Sequence, residues 1–296
     1  MASPQSGIFA LGTASHAFLE FDASPADAVP LCSRAARIRE MRTIGAVNVV
    51  AGFRPELWSA IAPDAAPLGA AGFNVPLTGP GGDVFPATQH DVVIWLTGAA
   101  YDVVFDQSRE IVSELTGLAD LAGEIVGWPY HSDRDLTGFT DGTENPTLLE
   151  SSSAALAPPG SPGEGGSILL LQQWDHDTAA WDRLPVPSQE AVIGRRKADN
   201  VELDPQPLSS HVAHTDQDTF GKIVRRNVAY GTAARHGTIF VGFSGSQQIL
   251  AAMLDSMIGT TTGVADRLTS FARARTGAYY VIPSADRLAR LAGDSG

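Results

Sequence analysis

Residues 91–98, DVVIWLTG, and residues 238–245, TIFVGFSG, are the two segments on which the fold turns. Each is a short run of β-branched, aromatic and aliphatic residues that ends in glycine and feeds a helical pattern, as a buried strand does. Working outward from the first, HAFLEFD (16–22) and VNVVAGF (47–53) read as strands on either side of a helical stretch from Pro25 to Met41. Downstream, Ala99 to Trp128 reads as one long helix with Val103, Val104, Ile111, Leu115, Leu118 and Leu121 on one side. Around the second segment the order recurs: strand SILLLQQW (167–174), helix from Thr178 to about Lys197, strand KIVRRNVAY (222–230), strand TIFVGFSG, helix from about Gln247. Two copies of one antiparallel-sheet-plus-helices unit are expected, in the order of a ferredoxin-like split β-α-β unit. The halves rhyme in architecture, without evident identity residue by residue. Between them SSSAALAPPGSPGEGG (151–166) is rich in Ser, Pro and Gly and predicts an exposed irregular linker. The expected division is therefore 1–150, a linker at 151–166, and 167–296, in the α+β class.

Composition narrows the function. The 296 residues carry 33 acidic and 20 basic side chains, a formal charge of −13, which repels polyphosphate and anionic lipid. Neither nucleic acid nor a membrane surface is an expected partner. Cys32 is the single cysteine, so an internal disulfide and a cysteine-cluster metal site are excluded. The amino terminus, MASPQSGIFALGTASHAF, lacks a basic segment before an apolar run, and no apolar run reaches the ~18 residues of a membrane span. A cytoplasmic protein is expected, as a homo-oligomer whose order the sequence leaves open.

Two regions concentrate chemistry. GFTDGTENP (138–146) is a turn-rich loop presenting Asp141 between glycines. Such an aspartate commonly caps its own turn; held instead among apolar groups such as Phe139 and Trp128, it could serve as a general acid–base. The second region, SSHVAHTDQDTFGKIVRRNVAYG (209–231), contains His211, His214, Arg225, Arg226 and Asn227. Arg225 and Asn227 alternate along the expected strand and share one face, while Arg226 takes the other. No HExxH-type spacing supports a zinc protease. One histidine is nevertheless enough for haem iron, whose opposite side can stay open.

GFTDGTENP, EAVIGRRKADNVEL (190–203), SHVA and KIVRRNVAYG together resemble the dye-decolourising peroxidase family in its compact bacterial class, and the likeness runs nearly end to end. The intervals Asp141 to His211 and His211 to Arg225, 70 and 14 residues, follow the family pattern, the second slightly short. The resemblance implies two ferredoxin-like domains, each an antiparallel sheet with flanking helices, and one haem b between sheet and helices. It implies His211 as the iron ligand, Asp141, Arg225 and Asn227 as catalytic residues on the opposite side, Arg225 and Asp266 also as cofactor-binding, and Asp266 hydrogen-bonded to the ligand imidazole. Hydrogen peroxide would be reduced, and dyes or phenolics oxidised one electron at a time; the net charge of −13 adds small cations such as Mn(II) as expected reductants.

Other readings stay open at this stage. His214 lies three residues from His211 and is a rival ligand; His236 has no assigned role and is expected to face solvent. Trp58, Trp95, Trp128, Trp174 and Trp181 could relay electrons to bulky dyes or simply pack. A haem-handling protein for porphyrin storage or iron release would use the same pocket, and a haem-free interaction module would need no histidine at position 211. Some family members enter protein nanocompartments by a carboxy-terminal tail, which the closing RLARLAGDSG matches only weakly.

Overall fold

Burial on both faces of β1 (Ser15–Ala23) sets the plan of the molecule: Phe18 is buried on one face, and Ala17, Leu19 and Phe21 on the other. A strand apolar on both faces needs cover on both. In this computed structural model, which describes residues 2–24, 26–38, 47–131 and 134–293, the sheet curls around one apolar cluster and helices pack against its outside.

The first half continues with α1 (Ala28–Arg37), β2 (Asn48–Phe53), α2 (Pro55–Ile61), the small hairpin β3 (Leu77–Thr78) and β4 (Val84–Phe85), β5 (Val92–Gly98), α3 (Tyr101–Leu115) and β6 (Ala119–Trp128). After α4 (Leu148–Ala155) come β7 (Ser167–His176), α5 (Thr178–Asp182), α6 (Val186–Ile193), α7 (His211–Thr215), α8 (Gln217–Phe220), β8 (Val224–Gly231), β9 (His236–Ser244), α9 (Gln247–Met257), β10 (Ala272–Ala274), β11 (Ala278–Ile282) and α10 (Ala285–Ala292). Within the first half the strand order is β2-β5-β1-β6, and within the second β8-β9-β7-β11, all antiparallel. Both are the ferredoxin-like order expected of a β-α-β-β-α-β unit. The class is α+β, as expected.

The two units join edge to edge twice, at β11–β2 through Val281 and Phe53 and at β6–β8 through Gly127–Tyr230 and Trp128–Ala229. With β7 paired to β9, the eight principal strands close on themselves. Closure removes the exposed edges that would otherwise invite aggregation. Phe18, Trp95, Phe243 and Tyr280 fill the interior, with Phe18 and Trp95 stacked at 5.8 Å.

Three expectations need correction. The stretch from Ala99 to Trp128 is not one helix: α3 stops at Leu115, Gly117 takes φ +85°, and residues 119–128 return as β6. A left-handed glycine just past a helix is the usual stop signal. The segment 151–166 is not irregular throughout, since residues up to Ala155 belong to α4, opened by a Thr147–Glu150 capping box. The stretch from Thr178 to Lys197 divides into α5 and α6 at Pro185, which caps α6, with Pro187 in its first turn. Pro25, Met41 and the last three residues of RLARLAGDSG lie outside the described residues.

Candidate active site

On the outer face of β7, β8 and β9, opposite α7 and α9, lies a cavity that opens to solvent. The alternation of each strand supplies its wall. Leu170, Gln172 and Trp174 of β7, Arg225 and Asn227 of β8, and Phe240 of β9 line it, while Leu169, Leu171, Val228 and Val241 point into the barrel. Arg226 likewise turns to the barrel side and lies over the Trp95 ring at 5.4 Å, as the two-residue period requires.

One side of the cavity is built on α7. Ser210 caps this helix by accepting from the Ala213 N–H, which places His211 at its first position, facing the cavity. His211 Nδ1 lies 2.7 Å from Asp266 Oδ2. Asp266 is 1% exposed, accepts the Leu268 N–H on its other oxygen at 2.9 Å, and is pinned by its own N–H to Met257 O at 2.8 Å. A carboxylate accepts, so the imidazole donates through Nδ1 and keeps a lone pair on Nε2, which meets no protein partner among the described residues. His214 is turned away: it is buried against Ser256 Oγ at 2.9 Å from Nδ1, does not line the cavity, and burial lowers its pKa.

The other side is built on the loop after β6. Gly138 and Gly142, at φ +82° and +68°, turn the chain so that Asp141 projects toward β8. Its Oδ1 accepts from Arg225 Nη1 at 2.6 Å and its Oδ2 from the Asn227 N–H at 3.2 Å. The side chain therefore reaches across to a strand rather than capping its own turn. Arg225 and Asp141 remain 21% and 16% exposed, so the pair is neither sealed in nor free in solvent. Phe139 is buried beside the cavity, under the Lys197 ammonium at 5.2 Å. Trp128, expected to share that role, is 41% exposed and does not line it.

All five residues singled out from the sequence, Asp141, His211, Arg225, Asn227 and Asp266, thus meet at one cavity. Others were missed. Asn145 clamps β8, Glu144 ties the loop to Arg195 at 3.0 Å and to the Gln217 N–H at 3.0 Å, and Asp135 accepts from the Asn227 side chain. Only the density of acidic residues between 135 and 144 hinted at them. His236 does not reach the cavity; it bonds Thr178 Oγ1 at 2.9 Å and the Thr232 carbonyl at 3.0 Å. Of the tryptophans, Trp174 lines the cavity, while Trp58, Trp95 and Trp181 are buried in packing.

The donor set suits haem. A free imidazole Nε2 faces an apolar space bounded by Leu170, Phe240, Met253 and Leu254, with a charged pair among the other lining residues. Gln172 Nε2, sealed from solvent beside the same cavity, has no protein partner, which marks a place where something other than protein belongs.

The family model described as "Dyp-type peroxidase, C-terminal" matches residues 132–287. A dye-decolorizing peroxidase from Brevibacterium linens is 33% identical over 254 residues, covering 82% of this chain and 68% of that protein. The crystal structure of DypB from Rhodococcus jostii RHA1 superposes with a TM-score of 0.86 at 33% identity, over 97% of each chain. A variant of that protein in complex with heme gives 0.84 at 34% identity, over 93% of this chain and 95% of that one. With more than half of its length matched by the family model and its site residues gathered at one cavity, this chain belongs to the dye-decolourising peroxidase family.

Proposed function

We propose that the protein is a haem b peroxidase that reduces hydrogen peroxide and oxidises dyes, phenolics or Mn(II) in one-electron steps. The observation that carries this reading is the arrangement of two carboxylate pairs at one cavity: Asp266 behind His211, and Asp141 beside Arg225. His211 Nε2 would hold the iron, and the haem, when bound, supplies the redox chemistry of peroxide reduction.

The remaining work falls to the chain's own residues. Asp266 accepts the His211 Nδ1 proton, fixing the ring and making Nε2 a stronger donor. Asp141 takes a proton from the peroxide oxygen that stays and returns it to the oxygen that leaves, a general acid–base role. Arg225 offsets the negative charge that grows on the departing oxygen and holds the Asp141 carboxylate in position. Asn227 completes the polar wall. The phenyl and alkyl groups lining the cavity exclude water from the apolar face of the cofactor.

A carrier of porphyrin would draw no benefit from placing an aspartate and an arginine in a partly desolvated cavity, where a charged pair costs free energy. The net charge of −13 favours small cationic reductants over anionic dyes near neutral pH. Among the described residues no helix is long and apolar enough to cross a membrane; a cytoplasmic homo-oligomer, with domains at 1–150 and 167–296, is our working picture. The test is to reconstitute the chain with haemin, record the Soret band, and then measure peroxide-dependent oxidation of a phenolic dye. A chain that takes up no haem, or a haem-loaded chain that bleaches without oxidising the dye, overturns the assignment.

A further inference from the structure

Asn227 uses its backbone and its side chain on two different carboxylates. Its main-chain N–H donates to Asp141 Oδ2 at 3.2 Å, and its side-chain Nδ2 donates to Asp135 Oδ2. Asp135 is itself held on three sides. Its Oδ1 accepts the Thr137 N–H at 2.7 Å, its own N–H donates to Phe139 O at 3.0 Å, and its carbonyl accepts the Gly138 N–H at 2.8 Å. Both Asp135 oxygens are therefore used as acceptors, and the group that meets Oδ2 has to be the NH₂ end of the amide.

That settles which way the Asn227 side chain faces. A planar amide held at its nitrogen by one N–H is fixed in orientation, and its oxygen, on the other side of the amide carbon, is directed away from Asp135. Asn227 Oδ1 has no partner among the described residues, and Asn227 lines the cavity. We infer that Asp135 is a positioning residue that turns the Asn227 amide so that its carbonyl oxygen, and not its NH₂, is presented to the peroxide cavity. The inference rests on the peroxidase reading and deepens it. Arg225 then supplies the side-chain donor at this end of the cavity, while Asn227 is an acceptor, selecting a small ligand that brings its own O–H. Hydrogen peroxide is such a ligand; a bare anion, which can only accept, meets a lone pair there and is disfavoured.

Fluoride, an anion that binds ferric haem and carries no proton, is the probe. Asp135→Ser keeps a hydroxyl for the Thr137 N–H but is too short to reach Asn227, so the amide is freed to rotate with the turn preserved. In optical titrations of the ferric holoprotein, Asp135→Ser is expected to bind fluoride about tenfold more tightly than the parent, the worth of one charge-assisted hydrogen bond. The double variant Asp135→Ser/Asn227→Ala is expected to lose that gain. A gain that persists in the double variant belongs to the lost charge of Asp135 and overturns the inference, as does an unchanged affinity in the single variant.

A second measurement needs no iron. With zinc protoporphyrin in place of haem, or without any porphyrin, the Asn227 side-chain NH₂ protons are expected to exchange slowly by NMR in the parent and rapidly in Asp135→Ser. Equal exchange in the two proteins overturns the inference. Failure of every variant and the parent to bind haem would instead count against the peroxidase reading, leaving the exchange comparison to decide the role of Asp135.

Discussion

Asn145 pairs with the main chain of Arg225 as a neighbouring strand would: its Oδ1 accepts the Arg225 N–H at 2.9 Å and its Nδ2 donates to the Arg225 carbonyl at 2.8 Å. The pairing of β6 with β8 ends at Trp128 and Ala229, so the side chain takes over where the ladder stops. One residue thereby locks the Asp141 loop to the strand that carries Arg225 and Asn227. Replacing Asn145 with Ala is expected to keep haem but slow the peroxide step about ten- to hundredfold, since misplacement of a catalytic group by about 1 Å costs rate on that order. Rapid mixing of ferric protein with peroxide measures it; an unchanged rate would show that the loop is held by other means.

The two histidines of α7 separate cleanly. His211→Ala is expected to abolish or greatly weaken haem binding, whereas His214→Ala, which removes a buried side chain bonded to Ser256 and facing away from the cavity, keeps it. Haem titration followed at the Soret band reads both variants, and retention by His211→Ala alone would reverse the assignment.

Asp266 acts through His211. Asp266→Ala leaves the imidazole without its acceptor, and loss of such a supporting partner typically costs ~10–100-fold in affinity for the bound metal group. Transfer of haem to an excess of apomyoglobin is expected to run faster by that factor. A rise in the reduction potential should accompany it, because a less electron-rich imidazole stabilises ferric iron less.

Asp141→Ala and Arg225→Ala should each retain haem and slow the peroxide step by roughly 10²–10³, the usual cost of removing one preorganised group at a reacting centre. The two losses are not expected to add, because each residue holds the other at 2.6 Å. Additive losses in the double variant would mean that the pair does not act as a unit.

Acid should destabilise the fold through a residue far from the cavity. His16 is buried in the barrel, and desolvation together with the nearby Arg226 lowers its pKa from 6.5 to about 4. The unfolded chain therefore binds a proton that the folded chain refuses between those values. Stability from this source is complete above about pH 6.5 and is lost as the pH falls toward 4, by up to ~3 kcal/mol. Burial lowers the pKa of His176 and His214 as well, and their contributions have the same sign. Urea unfolding at pH 7 and pH 4.5 measures the sum, and His16→Phe, which keeps the stack on Trp95, should flatten part of the slope.

Local pattern made much of this protein legible. Short apolar runs such as residues 91–98 and 238–245 announced strands because burial on both faces leaves only a few polar residues, near their ends, to interrupt them. The alternation of Arg225, Arg226 and Asn227 foretold which side chains would share a face, since that depends on strand geometry alone. β6 was hidden for the converse reason: it is largely exposed, with a burial pattern that neither alternates nor runs continuously, and it follows α3 closely enough to pass for more helix.

By itself the sequence determined the strands of continuous apolar character, the repeat of one unit in two halves and the residue types available for chemistry, because each is set by neighbours a few positions apart. What only the tertiary structure decided was closure of the two units into one barrel, the turning of His214 away from the cavity toward Ser256, and the partners Asn145 and Asp135. These rest on contacts between residues far apart in the chain, such as Asp266 with His211, Asp135 with Asn227 and Val281 with Phe53. Such contacts form when separate strands and helices pack, and no local pattern in the chain encodes them.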